Sequence, residues 1–293
     1  MDGYKSPVYD FKEQPMPNMT RVWIIFTVCA AILSACQSIQ NFENPTEPLY
    51  TGNYAQPPPA FDGELKIVTW NIRFSQEIEQ AIIELRTVEE LENVDILLLQ
   101  EMDETGVEAI AQSLGYNYVY FPASIHSEHD RNFGNAILSL WSISNPSKLL
   151  LPHTNPKNQQ RRIATRAEIS IGQHKVLAYS VHTETIWLFS SKRLEQIETL
   201  VADIDEDATY VVVGGDLNTV TAQNVSILDE LFATVDMDRV SNGYTVQKSG
   251  LPFSVDHIYT RGMVPIASGV WPQTEASDHF PVWAIVQLDE NSL

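Results

Sequence analysis

The segment YVVVGGDLN, residues 210–218, joins a run of apolar residues to a polar end. Aromatic and β-branched residues in unbroken succession predict a strand that is buried on both faces. Because residues two apart in an extended chain point the same way, Asp216 and Asn218 present a carboxylate and an amide on one side. The intervening glycines allow a backbone or a ligand to approach closely. The segment therefore predicts a central strand whose end carries groups able to do chemistry.

Apolar runs and amphipathic runs alternate on either side of this segment. Strands are predicted at residues 65–72, 94–99, 118–121, 136–140, 163–171, 176–181, 255–259 and 282–288. Helices are predicted at residues 77–91, 107–114, 190–204 and 226–232. Strand–helix units followed by runs of strands favour an α/β fold, a layered α/β sandwich of two mixed β-sheets flanked by helices. We expect one such domain over residues 62–290.

Further polar residues stand at the ends of other predicted strands, namely Asn71, Glu101, His182, Asp256 and the pair Asp278-His279. Taken singly, each has an ordinary structural explanation, since asparagines form turns and polar strand ends are commonly solvated. A carboxylate such as Glu101 that ends an apolar strand is costly, however, unless it is solvated, paired or bound to a metal. Together these positions indicate a polar site assembled where the strands end.

The motifs around these positions are TWN (69–71), LLLQE (97–101), SVHTE (180–184), GGDLN (214–218), VDHI (255–258) and SDHFPV (277–282). In this order they resemble the endonuclease/exonuclease/phosphatase superfamily, which includes deoxyribonuclease I-like nucleases, exonuclease III-like repair enzymes, sphingomyelinases and inositol-phosphate phosphatases. The resemblance spans residues 65–288, almost all of the predicted domain. It implies a deoxyribonuclease I-like fold and a metal-dependent phosphoric ester hydrolase.

The resemblance also implies a metal site. Glu101 is the expected main ligand of Mg²⁺ or Mn²⁺, with Asn71 beside it and Asp278 completing the site. Hard oxygen ligands suit these ions. The predicted domain contains no cysteine and few histidines, which argues against zinc.

The catalytic roles follow from the same resemblance. Asp216 and Asn218 are expected to position the attacking water and a phosphate oxygen. His279 is the expected general base, held in the right tautomer by Asp256. His182 is expected to stabilise the developing charge or to protonate the leaving group. The division of acid and base roles between the two histidines stays open at this point.

The charge balance is strongly acidic, with 18 Lys and Arg against 38 Asp and Glu and a formal net charge of -20. This composition argues against a protein that grips nucleic acid through a broad basic surface. One basic cluster comprises Lys157, Arg161, Arg162 and Arg166. It is either a solvated edge or a cationic wall for substrate phosphates, and the resemblance marks Arg162 and, in GNAILS (134–139), Asn135 as substrate-binding.

The N-terminal region resembles an export signal. Residues 22–35, VWIIFTVCAAILSA, are uncharged and follow Arg21. The run is shorter than the ~20 residues that a transmembrane helix needs, but it suits a secretory signal. It ends in LSAC, residues 33–36, which resembles a bacterial lipobox. We therefore expect a signal peptide over residues 1–35, export, and a lipid anchor at Cys36. The alternative is a short membrane anchor or a buried helix.

Residues 36–61 begin with the lipidated Cys36 and are polar and proline-rich. This composition predicts an extended spacer between the membrane and the domain. Gln37, after the lipidated cysteine, resembles lipoproteins that are sorted to the outer membrane.

The expected function is thus a divalent-metal-dependent phosphodiester hydrolase, nuclease-like, which acts as a monomer with no protein partner. Its substrate is a nucleic acid or a phospholipid headgroup. One alternative is a phospholipase C, a sphingomyelinase or an inositol-phosphate phosphatase, and the apolar residues 186–189, IWLF, are compatible with contact with lipid or with nucleotide bases. A different alternative is a catalytically inactive binding module.

Overall fold

Two β-sheets packed face to face form the body of the protein. The computed structural model describes Gly3 and residues 39–58, 60–126, 128–185 and 190–289. The strands are β1 Tyr50–Asn53, β2 Glu64–Asn71, β3 Ile96–Met102, β4 Asn117–Ile125, β5 Asn132–Ser139, β6 Ser142–Thr154, β7 Arg161–Ile171, β8 His174–His182, β9 Tyr210–Asp216, β10 Asp238–Arg239, β11 Val246–Lys248, β12 Leu251–Phe253, β13 Asp256–Arg261, β14 Met263–Val270 and β15 Val282–Leu288. The helices are α1 Ile78–Thr87, α2 Glu104–Leu114, α3 Ser190–Asp203 and α4 Ala222–Ala233.

The two large sheets are both mixed. In the described residues the first has seven strands in the order β1-β4-β5-β3-β2-β15-β14, and the second has six in the order β10-β13-β9-β8-β7-β6. Strands β11 and β12 form a separate hairpin. Within these sheets, β2 and β3 are parallel, as are β8 and β9, while their other neighbours are antiparallel.

Strand β3 explains why the sheets stack as they do. Its residues Ile96 and Leu98 pack into the core between the two sheets, whereas Leu97 and Leu99 pack on the opposite face with residues of α1 and α2. Because alternate side chains of a strand point to opposite faces, an unbroken apolar run requires cover on both sides. Helices α3 and α4 cover the outer face of the second sheet in the same way. The predicted layered α/β sandwich is confirmed.

The parallel pairs place polar side chains at one end of the body. Asn71 ends β2 next to Gln100 of β3, and His182 ends β8 opposite Asp216 of β9. Side chains that follow neighbouring parallel strands lie at the same edge of a sheet, which is where sheet folds commonly carry their chemistry. Both sheets therefore bring their polar strand ends together.

The prediction of an extended spacer over residues 36–61 is wrong for much of that stretch. Strand β1 pairs antiparallel with β4 as the outermost strand of the first sheet. Lys148 Nζ donates a 2.8 Å hydrogen bond to the carbonyl oxygen of Glu47. The compact unit that contains both sheets begins at Ile39. The proline-rich composition suggested that this stretch does not fold. The open edge of β4, however, offers backbone hydrogen-bond partners, and local composition does not reveal such partners.

The predictions for the signal peptide, the lipobox and Cys36 fall on residues outside those that the structure describes, as does the run 186–189. Among the described residues, no helix has the length and apolar character needed to cross a membrane.

Candidate active site

Glycines at the end of β9 determine how closely the neighbouring strands approach the site. A Cβ atom on Gly215 would lie 1.9 Å from the carbonyl oxygen of Val181 in β8. A Cβ atom on Gly214 would lie 2.6 Å from Leu98 Cδ1 in the opposite sheet. The approach of Val181 is possible only without a side chain on Gly215, and a side chain on Gly214 would require Leu98 to move. The glycines therefore fix the spacing of β8, β9 and the facing sheet just before Asp216.

Asp216 is the central acceptor of the site. Its Oδ2 lies 3.2 Å from Asn71 Nδ2 and 3.5 Å from His182 Nε2. Its Oδ1 accepts a 3.0 Å hydrogen bond from the backbone N–H of Asn218. Burial raises the pKa of Asp216 to about 7, since the opposing charge of His279 only partly offsets the loss of water and the nearby acidic groups.

Glu101 is directed into the site by an irregularity in β3. The pairing of β3 with β5 shifts register between Leu99 and Met102, and Glu101 has a φ of 59° in the left-handed region. A non-glycine residue in that region is uncommon and is strained, and bulges often redirect a side chain. The carboxylate comes within 3.9 Å of His182 Nε2. Burial raises the pKa of Glu101, although His279 and Arg162 act in the opposite direction.

Asp256 and His279 form a buried carboxylate–imidazole pair. His279 Nδ1 lies 3.0 Å from Asp256 Oδ2, and its Nε2 lies 3.9 Å from Asp216 Oδ2. The backbone carbonyl of His279 accepts a 2.9 Å hydrogen bond from the Trp70 ring nitrogen, which anchors the segment before β15 to β2. Burial alone would lower the pKa of His279, but the Asp256 and Asp216 carboxylates outweigh it and raise the pKa to about 10.

His182 has the opposite electrostatic setting. Arg162 Nη1 lies 3.1 Å from His182 Nδ1 and 3.2 Å from its Nε2. Burial lowers the pKa of His182 well below its ordinary value, and the charges of Arg162 and His279 lower it further. Because a guanidinium can only donate, the contact favours a neutral imidazole that accepts one of its N–H groups. Arg162 also lies 3.8 Å from Glu184 and over the ring of Phe133.

The donor set is suited to a hard divalent cation. The Oδ1 atom of Asn71 is buried and has no hydrogen-bond partner among the described residues, and the Glu101 carboxylate lies at the same strand ends. Oxygen atoms of this kind are the ligands that Mg²⁺ and Mn²⁺ prefer.

A second group, Asp216, Asp256 and His279, offers ligand atoms within 4.8 Å of one another. Its imidazole nitrogen Nδ1 already faces the Asp256 carboxylate. A metal ion bound through Nδ1 would have to displace that contact. The structure places the predicted ligand Asp278 at the exposed rim of the site, where its charge raises the pKa of Glu101.

Two predicted site residues are held by other contacts. The side-chain amide of Asn135 donates to the carbonyl oxygens of Ile163 (2.9 Å) and Ser180 (3.1 Å). The amide nitrogen of Asn135 therefore joins the two sheets in the core, and its role in binding substrate stays a prediction. Asn218 stays next to Asp216 in a left-handed conformation, but its side chain donates to the carbonyl oxygen of Thr183 at 3.2 Å.

The cationic wall is also not formed. Arg161 pairs with Glu43, Arg166 lies 3.7 Å from Asp203, and Lys157 is exposed. Only Arg162 of this cluster reaches the site. The alternation of side chains along β7 sends Arg161 and Arg162 to opposite faces of the sheet.

The sequence analysis missed two buried polar residues near the site. Glu184 has one carboxylate oxygen, Oε2, without a hydrogen-bond partner among the described residues, and Arg193 is buried in α3. A signal for Arg193 existed. It lies on the inward stripe of α3, with Gln196, Ile197 and Leu200 at helical spacing.

Comparisons with known proteins identify a family and a fold that match this chain. Residues 68–279, which contain every predicted site residue, match the model of the Endonuclease/Exonuclease/phosphatase family. A UPF0294 protein of Vibrio cholerae is 24% identical over 229 residues, covering 75% of this chain and 77% of the relative.

Solved structures share the fold. An endonuclease/exonuclease/phosphatase family protein from Leptotrichia buccalis superposes with a TM-score of 0.63 at 18% identity, covering 75% of this chain and 98% of the other. D. rerio TDP2 complexed with single strand DNA product superposes with a TM-score of 0.57 at 16% identity, covering 77% and 100%. The chain belongs to the endonuclease/exonuclease/phosphatase family.

Proposed function

We propose that this protein is a divalent-metal-dependent phosphodiesterase of the nuclease-like kind. The observation that carries the proposal is the convergence on Asp216 of polar side chains from both sheets. Asn71, His182 and His279 place nitrogen atoms 3.2, 3.5 and 3.9 Å from its Oδ2. Buried polar groups packed this closely cost stability, so their assembly favours a role in chemistry.

The metal would be Mg²⁺ or Mn²⁺, held by Glu101 and Asn71, with Asp278 at the rim. When bound, the cation would neutralise and polarise the phosphate and bring positive charge close to His279. The unpartnered Asn71 Oδ1 atom supports this assignment.

Three groups are suited to bind the phosphate. Arg162 provides a permanent charge, and the neutral His182 can donate an N–H. His279, whose raised pKa favours the imidazolium, can donate its Nε2–H to a phosphate oxygen while Asp256 holds Nδ1. Preorganised donors of this kind stabilise charge that develops in the transition state.

The proton acceptor for the attacking water is then Asp216. Its pKa of about 7 suits a general base at neutral pH, and it faces the site between the two histidines. This division differs from the sequence-based assignment of His279 as the base, because the Asp256 and Asp216 carboxylates raise the pKa of that imidazole.

Arg162 is the single arginine or lysine that contacts the catalytic histidines among the described residues. Together with the cation and the His279 imidazolium, it would balance the negative charge of the substrate phosphate.

We further propose that the protein is exported and anchored through a lipid on Cys36, on the strength of the LSAC sequence after an apolar run.

A turnover screen tests the function. The purified protein is incubated with plasmid DNA, RNA, sphingomyelin and inositol phosphates, each with Mg²⁺, with Mn²⁺ and with EDTA. We expect metal-dependent cleavage of at least one diester, abolished by Asp216→Asn. Absence of turnover on every substrate would overturn the proposal and favour an inactive binding module.

A further inference from the structure

A cavity of about 400 Å³ is lined by residues from the first two turns of α3 and α4. Helix α3 follows β8, which ends at His182, and α4 follows β9, which ends at Asp216. The residues that line it include Ser191, Arg193 and Leu194 of α3 and Gln223, Asn224 and Ile227 of α4. We call this space the Arg193 cavity.

Arg193 is the unusual member of this lining. It is 5% exposed, and its Nη1 atom has no hydrogen-bond partner among the described residues. No carboxylate in the described part of the chain forms an ion pair with it. A buried cation without a hydrogen-bonded ion-pair partner is costly, because it loses its hydration. In a chain with a net charge of -20, carboxylates are abundant, so composition does not explain why this arginine forms no ion pair.

The rest of the cavity also favours an anion. Helices α3 and α4 both begin at the cavity, and helix N-termini carry partial positive charge. Thr221 caps α4 by accepting a hydrogen bond from the N–H of Asn224. The apolar side chains of Leu194 and Ile227 lower the local dielectric, which strengthens the attraction between a guanidinium and an anion.

A short series of contacts connects the cavity to the active site. Gln196, one turn along α3 from Arg193, accepts a 2.8 Å hydrogen bond from the backbone N–H of Glu184. The Glu184 carboxylate lies 3.8 Å from Arg162, whose Nη1 lies 3.1 Å from His182. An anion held by Arg193 is therefore a candidate for a second group on the same substrate.

We propose that the Arg193 cavity binds a phosphodiester group next to the scissile one, so that the substrate is a nucleic acid strand. This inference rests on the proposed function. One guanidinium and two helix N-termini match the single negative charge of a neighbouring backbone phosphate. A phospholipid headgroup with one phosphate would leave Arg193 unpaired.

The test compares two thymidine oligomers with a 3′ fluorescein label, TpT with one phosphodiester and TpTpT with two. Their affinities are measured by fluorescence anisotropy in EDTA, where the proposed metal-dependent cleavage does not occur. We expect wild-type protein to bind TpTpT at least about tenfold more tightly than TpT, which is the gain typical of a charge-assisted hydrogen bond. Arg193→Met should reduce this ratio to near one, and Arg193→Lys should retain part of it.

Arg86→Met provides the matched control. It removes the same charge from an exposed position on α1, where Arg86 contacts only the Ser113 carbonyl oxygen among the described residues. We expect its TpTpT/TpT ratio to equal that of wild type. An equal loss in Arg86→Met and Arg193→Met would mean that net charge governs binding, and it would overturn the proposal.

The melting temperature of Arg193→Met distinguishes a role of Arg193 in binding from a role in the fold. Because Arg193 has no hydrogen bond to lose, Arg193→Met should melt at the wild-type temperature or about 2–4 °C above it in the absence of oligomer. A melting temperature well below that of wild type would assign Arg193 to the fold and contradict the proposal.

The two proposals fail in different ways. If the metal-loaded protein cleaves a diester but Arg193→Met keeps the wild-type ratio, the cavity proposal is wrong and the proposed function stands. If the ratio falls in Arg193→Met but no diester is cleaved with any metal, the proposed function is wrong and the cavity still binds a phosphodiester.

Discussion

His279 and Asp256 face each other in the buried part of the site, with His279 Nδ1 3.0 Å from one carboxylate oxygen of Asp256 and 3.1 Å from the other. This contact fixes which imidazole nitrogen faces the substrate. It also stabilises the charged ring, because a neighbouring carboxylate favours the imidazolium. The pair is therefore expected to act as a unit in which Asp256 positions His279 and keeps it protonated.

Asp256→Asn should lower kcat nearly as much as His279→Ala, by about two orders of magnitude or more. Because Asp256 raises the pKa of His279, its removal lowers that pKa. Activity that needs the imidazolium is present below this pKa and is lost above it, so the alkaline limb of the pH–rate profile should move to lower pH. Steady-state rates between pH 5 and 10 provide the measurement.

A double variant shows whether Asp256 and His279 act together or independently. Asp256→Asn with His279→Ala should be little worse than either single change. Asp229→Asn, a change of a carboxylate that pairs with Arg239 away from the site, serves as the control. Losses of kcat that multiply in the double variant, with an unchanged circular dichroism spectrum, would contradict the assigned role of His279. A shift in Asp256→Asn of only the acid limb of the pH–rate profile would contradict it as well.

Gly215→Ala should destabilise the protein and reduce activity together. The added Cβ would meet the Val181 carbonyl oxygen at 1.9 Å, so β8 and β9 would have to separate where His182 and Asp216 pair. Overpacking of this kind typically costs about 1–3 kcal/mol. Urea unfolding measures the loss, and a variant as stable and as active as wild type would show that the spacing of these strands does not matter.

The central strands and the polar ends of the site could be predicted from the sequence. An apolar run such as that of β3 can be accommodated only between two covering layers, and a carboxylate at its end needs a partner. Glu101 and Asp216 could therefore be identified as site residues before their positions were known.

Long-range contacts could not be predicted in the same way. Strand β1 exists because β4 offers an open edge, with Tyr50 paired to Tyr120 across 70 positions of sequence. Asn135 has a family-like motif, but whether its amide faces substrate or carbonyl groups depends on how the two sheets pack. Arg193 was missed because a cation on the inner stripe of a helix shows its role only once the cavity beside it is known.

His126 should make the protein sensitive to mild acid. Its ring stacks with His129 at a centroid distance of 4.7 Å, and burial together with the charge of His129 lowers its pKa from 6.5 to about 4. Between these values the unfolded chain binds a proton that the folded protein does not, so the free energy of unfolding falls as pH decreases from 6.5 to about 4.

His126→Gln should remove this contribution. Its free energy of unfolding relative to wild type should rise steadily as pH is lowered through that range, as measured by urea unfolding at several pH values. If the free energies of unfolding of wild type and His126→Gln change in parallel from pH 7.5 to 4, His126 takes up its proton equally in the folded and unfolded states.

The N-terminal region gives a separate prediction. Cys36→Ser should release the protein from membranes or leave it as uncut precursor, because the thiol is the expected site of lipid attachment. Cell fractionation with immunoblotting provides the measurement, and Cys29→Ser is the matched control within the apolar run. Mass spectrometry that finds an unmodified Cys36 on native protein would refute this prediction.

The most direct test of the central claim is a Mn²⁺ titration of bis(p-nitrophenyl) phosphate hydrolysis by wild type and by Glu101→Gln. The amide keeps the shape of Glu101 and removes its charge, so we expect both a weaker apparent Mn²⁺ affinity and a turnover rate lower by about two orders of magnitude. Glu79→Gln, at an exposed position on α1, should behave as wild type. Full activity of the wild type in EDTA would show that hydrolysis needs no metal, and an unchanged titration for Glu101→Gln would show that Glu101 does not hold it.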